Sequence, residues 1–212
     1  ELIYKKNTEN KRFKLNYILD MGKDHDTKLK LAIDYLKFLG TAAMSPAQKE
    51  EEFYKLGCDL TVNCGAEKVT ITLSGLADNF DESVALFENI LAGAVADDEA
   101  LENLKLSELK GRNDAKLNKQ IILWRAMGSY AKYGDNSSFR NILSEEDLNN
   151  VTSAELVDLI HNLTSYEHKI MYYGPEPINK VASDLEKLHA NKSGLKMIPS
   201  KNEFIEQPMD KP

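Results

Sequence analysis

The sequence of 212 residues has only two cysteines, four histidines and one tryptophan, and it has no surplus of basic residues. Its net charge is −7, with both signs interspersed along the chain. Because phosphates repel a negative protein that has no basic stripe, nucleic acid is not an expected partner. No apolar run approaches the roughly 20 residues that cross a bilayer, so we expect no membrane span.

The two cysteines, Cys58 and Cys64, stand at the ends of a predicted strand. At about 3.3 Å per residue, such a strand holds them roughly 20 Å apart. A disulfide needs Cα atoms within about 7 Å of each other, so these two cysteines cannot pair while the strand holds. We interpret both as buried free thiols.

Sequence motifs of common catalytic sites are also missing. There is no CxxC, no glycine-rich phosphate loop and no GxSxG nucleophile elbow. No histidine lies three or four residues from another, so the chain has no helical pair of metal ligands. We interpret the histidines as surface or packing residues: His25, His161, His168 and His189. The pairs Asp97-Asp98 and Glu145-Glu146 stand at predicted helix starts, where carboxylates favour the helix dipole.

What the chain does have is the composition of a globular domain, with 42% hydrophobic and 29% charged residues. A chain of this length buries roughly 70% of the surface that it exposes when unfolded, so it can form a core without disulfides or metal. We expect one α+β domain over residues 1–190. Residues 191–212 lose periodicity and are expected to be a linker or tail toward a missing following domain.

Alternating apolar residues predict strands joined in pairs. Leu2 to Lys5 and Phe13 to Asp20 predict an opening hairpin, and Cys58 to Cys64 with Val69 to Ser74 predict a second one. Lys169 to Tyr173 is the last predicted strand. Strands followed by helices and a returning strand predict an antiparallel-rich sheet that helices cover on one face.

Helical spacing dominates elsewhere. A largely buried helix is expected from Thr27 to Gly40, and a continuous helix from Asn118 to Tyr133. Ser144 and Ser153 are the expected N-caps of two short helices. The final helix is expected over Ile178 to His189.

Several of these segments resemble the insulinase/pitrilysin family of zinc metallopeptidases. Phe38, Gly40 and Thr41 match the Phe-x-Gly-Thr ending of the family's metal-binding helix. The stretch from Gly75 to Phe80 is similar to its Gly-Leu-x-x-Asn-Phe motif, and Tyr172 to Pro175 also looks like a family feature. The resemblance implies the half-domain fold of this family, which mitochondrial processing peptidase-like proteins share.

The resemblance also implies that the metal site is lost. Active members carry His-x-x-Glu-His on this helix, and here Leu31, Asp34 and Tyr35 stand at those three positions. Glu108 is the nearest match to the third ligand, a glutamate on a later helix, and its spacing from Leu101 predicts that it points inward. Because one carboxylate does not make a zinc site, we expect no catalytic residue, no cofactor and no metal in this domain.

By this resemblance, the chain is expected to be a non-catalytic domain of a two-half peptidase. It would line the chamber and help to bind unfolded peptide, while zinc sits in the partner half. The partner is then an N-terminal catalytic half of the same polypeptide or a separate active subunit. A third alternative is a scaffold or binding module without a peptidase partner. Bacterial relatives of this layout are often exported, which favours the periplasm or cell envelope and leaves the cytoplasm open.

Overall fold

One mixed sheet organises the computed structural model of the chain, which describes residues 1–189 and 194–208. Its strands are β1 (Leu2–Lys6), β2 (Arg12–Leu19), β3 (Asp59–Cys64), β4 (Val69–Leu76) and β5 (Lys169–Gly174). The strand order is β1-β5-β2-β4-β3. Only β1 and β5 are parallel, while the other neighbouring strands are antiparallel. This confirms the predicted α+β class with an antiparallel-rich sheet.

The predicted opening hairpin is wrong, because β5 lies between β1 and β2. Ile3 of β1 is opposite Met171 of β5 in a parallel register. The loop after β1 crosses the end of β5, where the backbone N–H of Asn7 donates to the Gly174 carbonyl at 2.7 Å. Alternating apolar residues identify a strand but not its neighbour in the sheet. The edge of β2 that β1 was expected to occupy is hydrogen-bonded instead to β5, a strand from the far end of the chain.

One face of the sheet forms the core. Phe13, Leu15, Tyr17 and Leu19 of β2 are buried, as the alternating pattern predicts. Phe13 packs edge-on against Phe80, with ring centroids 5.0 Å apart. The residues between them on β2 are exposed or half-buried, so helices cover the apolar face.

The α-helices of the described chain surround this core. They are α1 (Thr27–Tyr35), α2 (Pro46–Lys55), α3 (Phe80–Gly93), α4 (Asp98–Leu117), α5 (Gly128–Tyr133), α6 (Glu145–Asn150), α7 (Ser153–His161) and α8 (Ile178–Leu188). Ser144 caps α6 as expected, but Thr152 rather than Ser153 caps α7. Thr152 forms a reciprocal capping box with Glu155, which satisfies two helix-terminal N–H groups instead of one.

The segment predicted as one helix from Asn118 to Tyr133 is helical, but part of it is not an α-helix. Ile121–Met127 is π-helical and leads into α5. None of the residues in either part is buried. The side chains of this segment therefore form an unusually apolar surface, with Trp124 75% exposed.

Residues that carry the family resemblance have structural roles. The carboxamide of Asn79 donates to the Leu56 carbonyl at 2.8 Å and so ties the start of α3 to the end of α2. A side chain at Gly40 would place its Cβ 2.2 Å from the carbonyl oxygen of Met44, so only glycine fits there. These residues preserve the fold independently of any metal.

The C-terminal segment, residues 194–208, lies along the domain without forming a helix or a strand. The backbone N–H of Asn202 donates to the Asp24 carbonyl, and that of Gln207 donates to the Lys132 carbonyl, each at 2.8 Å. The predicted division between residues 190 and 191 lies outside the described residues and stays a prediction. In the two described ranges, no helix is both long and apolar enough to cross a bilayer.

Candidate functional site

Helix α1 positions three of the four residues at the degenerate metal site. The Asp26 carboxylate caps its N-terminus by accepting from the Lys28 N–H at 2.8 Å. Leu31 and Tyr35 are buried, whereas Asp34 is half-buried at the helix surface. Leu31 and Asp34 line a small cavity of about 40 Å³ together with Glu108 of α4.

Tyr35 does not line this cavity. Its hydroxyl donates to the Asp97 carbonyl at 2.6 Å and accepts from the Asp97 N–H at 2.8 Å. Burial raises the pKa of Tyr35, which disfavours the phenolate that a metal would require. The tyrosine therefore fixes the start of α4 and is not available as a ligand.

Asp34 is held by two lysines that are close to it in the sequence. Lys30 donates to one of its carboxylate oxygens, and Lys37 donates to the other at 3.1 Å. These neighbours are one helical turn away, so the contacts follow from the sequence spacing. A carboxylate engaged on both oxygens is a poor candidate for a general base.

Glu108 is half-exposed at the edge of the cavity, whereas its spacing predicted an inward orientation. It accepts from Nε of Arg112 at 3.0 Å. Arg112 also donates from Nη1 to the Leu143 carbonyl at 2.7 Å, which joins α4 to the loop before α6. The ion pair explains the difference, because Arg112 reaches the carboxylate at the helix surface.

The residues at this position do not fit a zinc ion. Leu31 has no lone pair, the Tyr35 hydroxyl is engaged elsewhere, and both carboxylates already face cations. Lys23, Lys30 and Arg112 line the cavity, so positive side chains occupy the region where an ion would need ligands. In the described part of the chain, no group of three His, Cys, Asp or Glu side chains could hold a metal.

Sequence reasoning missed Arg112. Its spacing of four residues from Glu108 on a predicted helix was the available signal, since such pairs interact on a helix surface. The contact with Leu143 had no signal, because the two residues come from segments whose packing the sequence does not reveal.

A second concave surface lies between β3 and the exposed helical segment. We call this cleft of about 630 Å³ the Trp124 cleft. Its lining residues are Lys23, Lys30, Cys64, Gly65, Ala66, Trp124, Arg125, Gly128, Ser129, Lys132, Tyr133, Ser138 and Phe139. Its two walls are distant along the chain, so the spacing of residues in the sequence does not indicate it.

Both cysteines are buried and free, as expected. Burial raises the pKa of Cys64 to about 11. The thiolate is the reactive form of cysteine, so Cys64 is unreactive at neutral pH although it borders the Trp124 cleft.

Two of the histidines form a buried hydrogen-bonded network. His168 Nε2 lies 2.9 Å from His189 Nε2, and His189 Nδ1 lies 2.7 Å from the Glu88 carboxylate. The Tyr17 hydroxyl donates to the same carboxylate oxygen at 2.7 Å, and His168 Nδ1 faces the Tyr166 carbonyl. The carbonyl and the carboxylate only accept, so each of these two contacts is a hydrogen bond when the Nδ1 atom that faces it carries a proton.

Acid is expected to destabilise the fold through His168. Burial lowers the pKa of His168 from its ordinary value of 6.5. The unfolded chain then binds this proton at a higher pH than the folded chain, so stability contributed above pH 6.5 is lost as the pH falls through the folded pKa. Denaturant unfolding at a series of pH values measures the slope of the free energy of unfolding against pH. This slope should be smaller in His168→Gln.

The groups that face His168 define the control for this experiment. They are His189, Glu88, Tyr17 and the N-terminal amino group of Glu1. Among the described residues, His161 lies outside this network and its ring faces the Ala94 carbonyl, so His161→Gln is the matched control and should retain the wild-type slope. An unchanged slope in His168→Gln would assign the acid sensitivity to another group.

Comparisons with known proteins identify the fold. No family model matches the sequence, and no curated protein matches it. Solved structures do match. The peptidase M16 inactive domain from Pseudomonas fluorescens aligns with a TM-score of 0.76 and 18% identity over 96% of this chain and 52% of that chain.

Two larger proteases align over most of this chain as well. The periplasmic protease PqqL from Escherichia coli has a TM-score of 0.74 and 11% identity over 94% of this chain and 22% of its own. The ferredoxin protease FusC, solved as a mutant with Arabidopsis ferredoxin, has a TM-score of 0.77 and 11% identity over 97% and 23%.

The chain thus spans about half the length of the inactive-domain structure and under a quarter of the two proteases. The implied resemblance to an insulinase-type half-domain is confirmed at the level of fold. The described chain has the α+β fold of the M16 metallopeptidase domains, including one that is inactive.

Proposed function

We propose that the chain is a non-catalytic domain of a two-half zinc metallopeptidase and that it binds unfolded peptide while the other half carries zinc. The observation that carries this proposal is the metallopeptidase fold combined with a metal position whose carboxylates pair with lysine and arginine. Such a domain has no means of activating water. Its contribution is then to bind substrate.

An exposed apolar surface supports the peptide-binding role. Trp124, Met127 and Tyr130 are 75%, 56% and 60% exposed, and they follow one another along the helical segment Ile121 to Tyr133. Monomeric proteins rarely leave large contiguous apolar patches uncovered unless these bind something. Strand β3 is an edge of the sheet beside this surface, and an edge strand offers unpaired backbone groups to an extended peptide.

The alternatives differ in where the active half resides. This chain covers under a quarter of PqqL and FusC, which supports a catalytic half within the same polypeptide. It covers half of the separately solved inactive domain, which supports a non-catalytic subunit that pairs with an active one. A scaffold without a peptidase partner is the third possibility, and it predicts no effect on proteolysis.

The remaining organisation is part of the same proposal. Residues 1–190 form the peptidase-like domain, and residues 191–212 lead to a following domain. A periplasmic or cell-envelope location is supported by PqqL, whose solved structure is that of a periplasmic protease.

We expect the purified chain to bind an unfolded protein without cleaving it. Reduced, carboxymethylated α-lactalbumin provides such a substrate, with fluorescence anisotropy to measure binding and gel electrophoresis to measure cleavage. Metal analysis after dialysis against zinc should find none bound to the chain. Binding without cleavage and without zinc supports the proposal. Stoichiometric zinc, or cleavage that a chelator abolishes, would contradict it.

A further inference from the structure

The Trp124 cleft is positively lined in a negatively charged chain. Lys23, Lys30, Arg125 and Lys132 are among its lining residues, and none of the described residues that line it is acidic. The whole sequence has a net charge of −7. Three of these cations already pair with carboxylates outside the lining, Lys23 with Asp24, Lys30 with Asp34 and Lys132 with Glu206, so the charge that can attract an acidic ligand is that of Arg125.

Arg125 is the cation that remains available for a ligand. Lys30 pairs with Asp34, and Lys132 pairs with Glu206 at 2.8 Å. Arg125 forms no ion pair with any described residue and is exposed beside Phe139, its guanidinium carbon 5.8 Å from the ring centroid. An arginine held over an aromatic ring keeps its donors in a defined plane, which suits a carboxylate.

The C-terminal segment of the chain already packs beside this cleft. Glu203, Phe204 and Ile205 line a neighbouring cavity that shares Tyr133 and Ser138 with the Trp124 cleft. The next residue, Glu206, is the one that pairs with Lys132. A segment with acidic and apolar residues thus already lies at the rim of the cleft.

Aromatic side chains provide the apolar part of the same surface. Trp124 and Phe139 lie in the lining next to Arg125, and both are exposed. Aromatic and arginine side chains contribute most to binding at interfaces because they bury large area with few rotatable bonds.

We propose that the Trp124 cleft binds an extended acidic peptide segment, with a carboxylate on Arg125 and an apolar side chain on Trp124 and Phe139. This inference rests on the proposed function, because it names the class of peptide that the non-catalytic domain selects. It follows from an exposed arginine with no ion pair to a described residue, which lies over the Phe139 ring in a cleft that Trp124 also lines.

The only tryptophan of the chain reports directly on this cleft. We would titrate the full chain with the unstructured peptide Ser-Glu-Phe-Glu-Leu-Glu-Ser and follow tryptophan emission. The comparison peptide has lysine in place of each glutamate. The acidic peptide should shift the emission to shorter wavelength and bind about 10-fold more tightly at low salt, with a smaller difference at high salt.

Arg125→Glu should weaken binding of the acidic peptide by about 5- to 10-fold. Arg12→Glu is the matched control, since Arg12 is exposed at the start of β2 and outside the cleft lining, and its affinity should equal that of the wild type. Thermal melting followed by circular dichroism verifies that both variants fold, since both changes are on exposed positions.

Three other outcomes would each overturn the inference, and the measurements distinguish them. Equal affinity for both peptides would overturn the acidic selectivity and leave peptide binding by the domain intact. Binding of neither peptide, together with none of unfolded α-lactalbumin, would overturn the proposed function as well. A blue shift that depends on protein concentration alone would show that a second copy of the chain covers the cleft.

Discussion

Glu88→Ala is expected to lower the free energy of unfolding by about 4 kcal/mol, because it removes one partner from a buried charged network. The Glu88 side chain is 12% exposed and that of His189 is 2% exposed. The alanine leaves the imidazole of His189 and the hydroxyl of Tyr17 without their shared acceptor. Urea unfolding monitored by circular dichroism measures the loss.

Two further variants provide the comparison for this loss. Tyr17→Phe removes a single hydrogen bond to Glu88 and should cost about 1 kcal/mol. Glu82→Ala changes an exposed residue of the same helix and should leave stability nearly unchanged. If Glu88→Ala unfolded no more easily than Glu82→Ala, the network would not stabilise the fold.

This network could not be predicted from the sequence. Tyr17 belongs to β2, Glu88 to α3, and the two histidines lie near β5 and at the end of α8. Local spacing carries no information on contacts between such distant segments. The histidines were interpreted as surface or packing residues, and the network shows that His168 and His189 pack against each other.

Local features of the fold were more accessible. The spacing of apolar residues correctly predicted α1 and the hairpin of β3 and β4, because helical and strand periods are properties of one segment. The position of β1 in the sheet could not be predicted from the sequence, since its partner β5 is more than a hundred residues away. The π-helical start of the exposed segment was missed as well, because apolar spacing does not distinguish it from an α-helix.

At the metal position, the resemblance supplied the residues, and the structure supplied what they contact. Leu31, Asp34 and Tyr35 were identified by alignment with the motif of the family. The hydrogen bonds between Tyr35 and the backbone of Asp97 depend on the packing of α1 against the start of α4, which the sequence does not reveal. The loss of the metal ligands and the new contacts made by the residues that replace them are therefore separate changes.

This separation leads to the prediction that rebuilding the motif alone gives only weak zinc binding. Leu31→His, Asp34→Glu and Tyr35→His restore the three helix positions, while Glu108 stays paired with Arg112. The guanidinium of Arg112 repels Zn²⁺ and holds the Glu108 carboxylate away from the ion. Adding Arg112→Ala should raise zinc affinity by about 10- to 100-fold, the range typical of changes to groups that orient metal ligands.

Competition with a chromophoric chelator measures this affinity without any assay of activity. Arg12→Ala in the rebuilt chain removes a cation elsewhere and should leave affinity unchanged, which distinguishes the effect of Arg112 from a general change in charge. Thermal melting must show that the rebuilt chains fold, since the new histidine at position 35 loses the bonds that Tyr35 makes to Asp97. Equal zinc affinity with and without Arg112 would mean that only the missing imidazoles keep the ion away. Higher zinc affinity after the removal of Arg112 would mean that the ion pair between Arg112 and Glu108 prevents zinc binding in addition to the loss of the imidazoles.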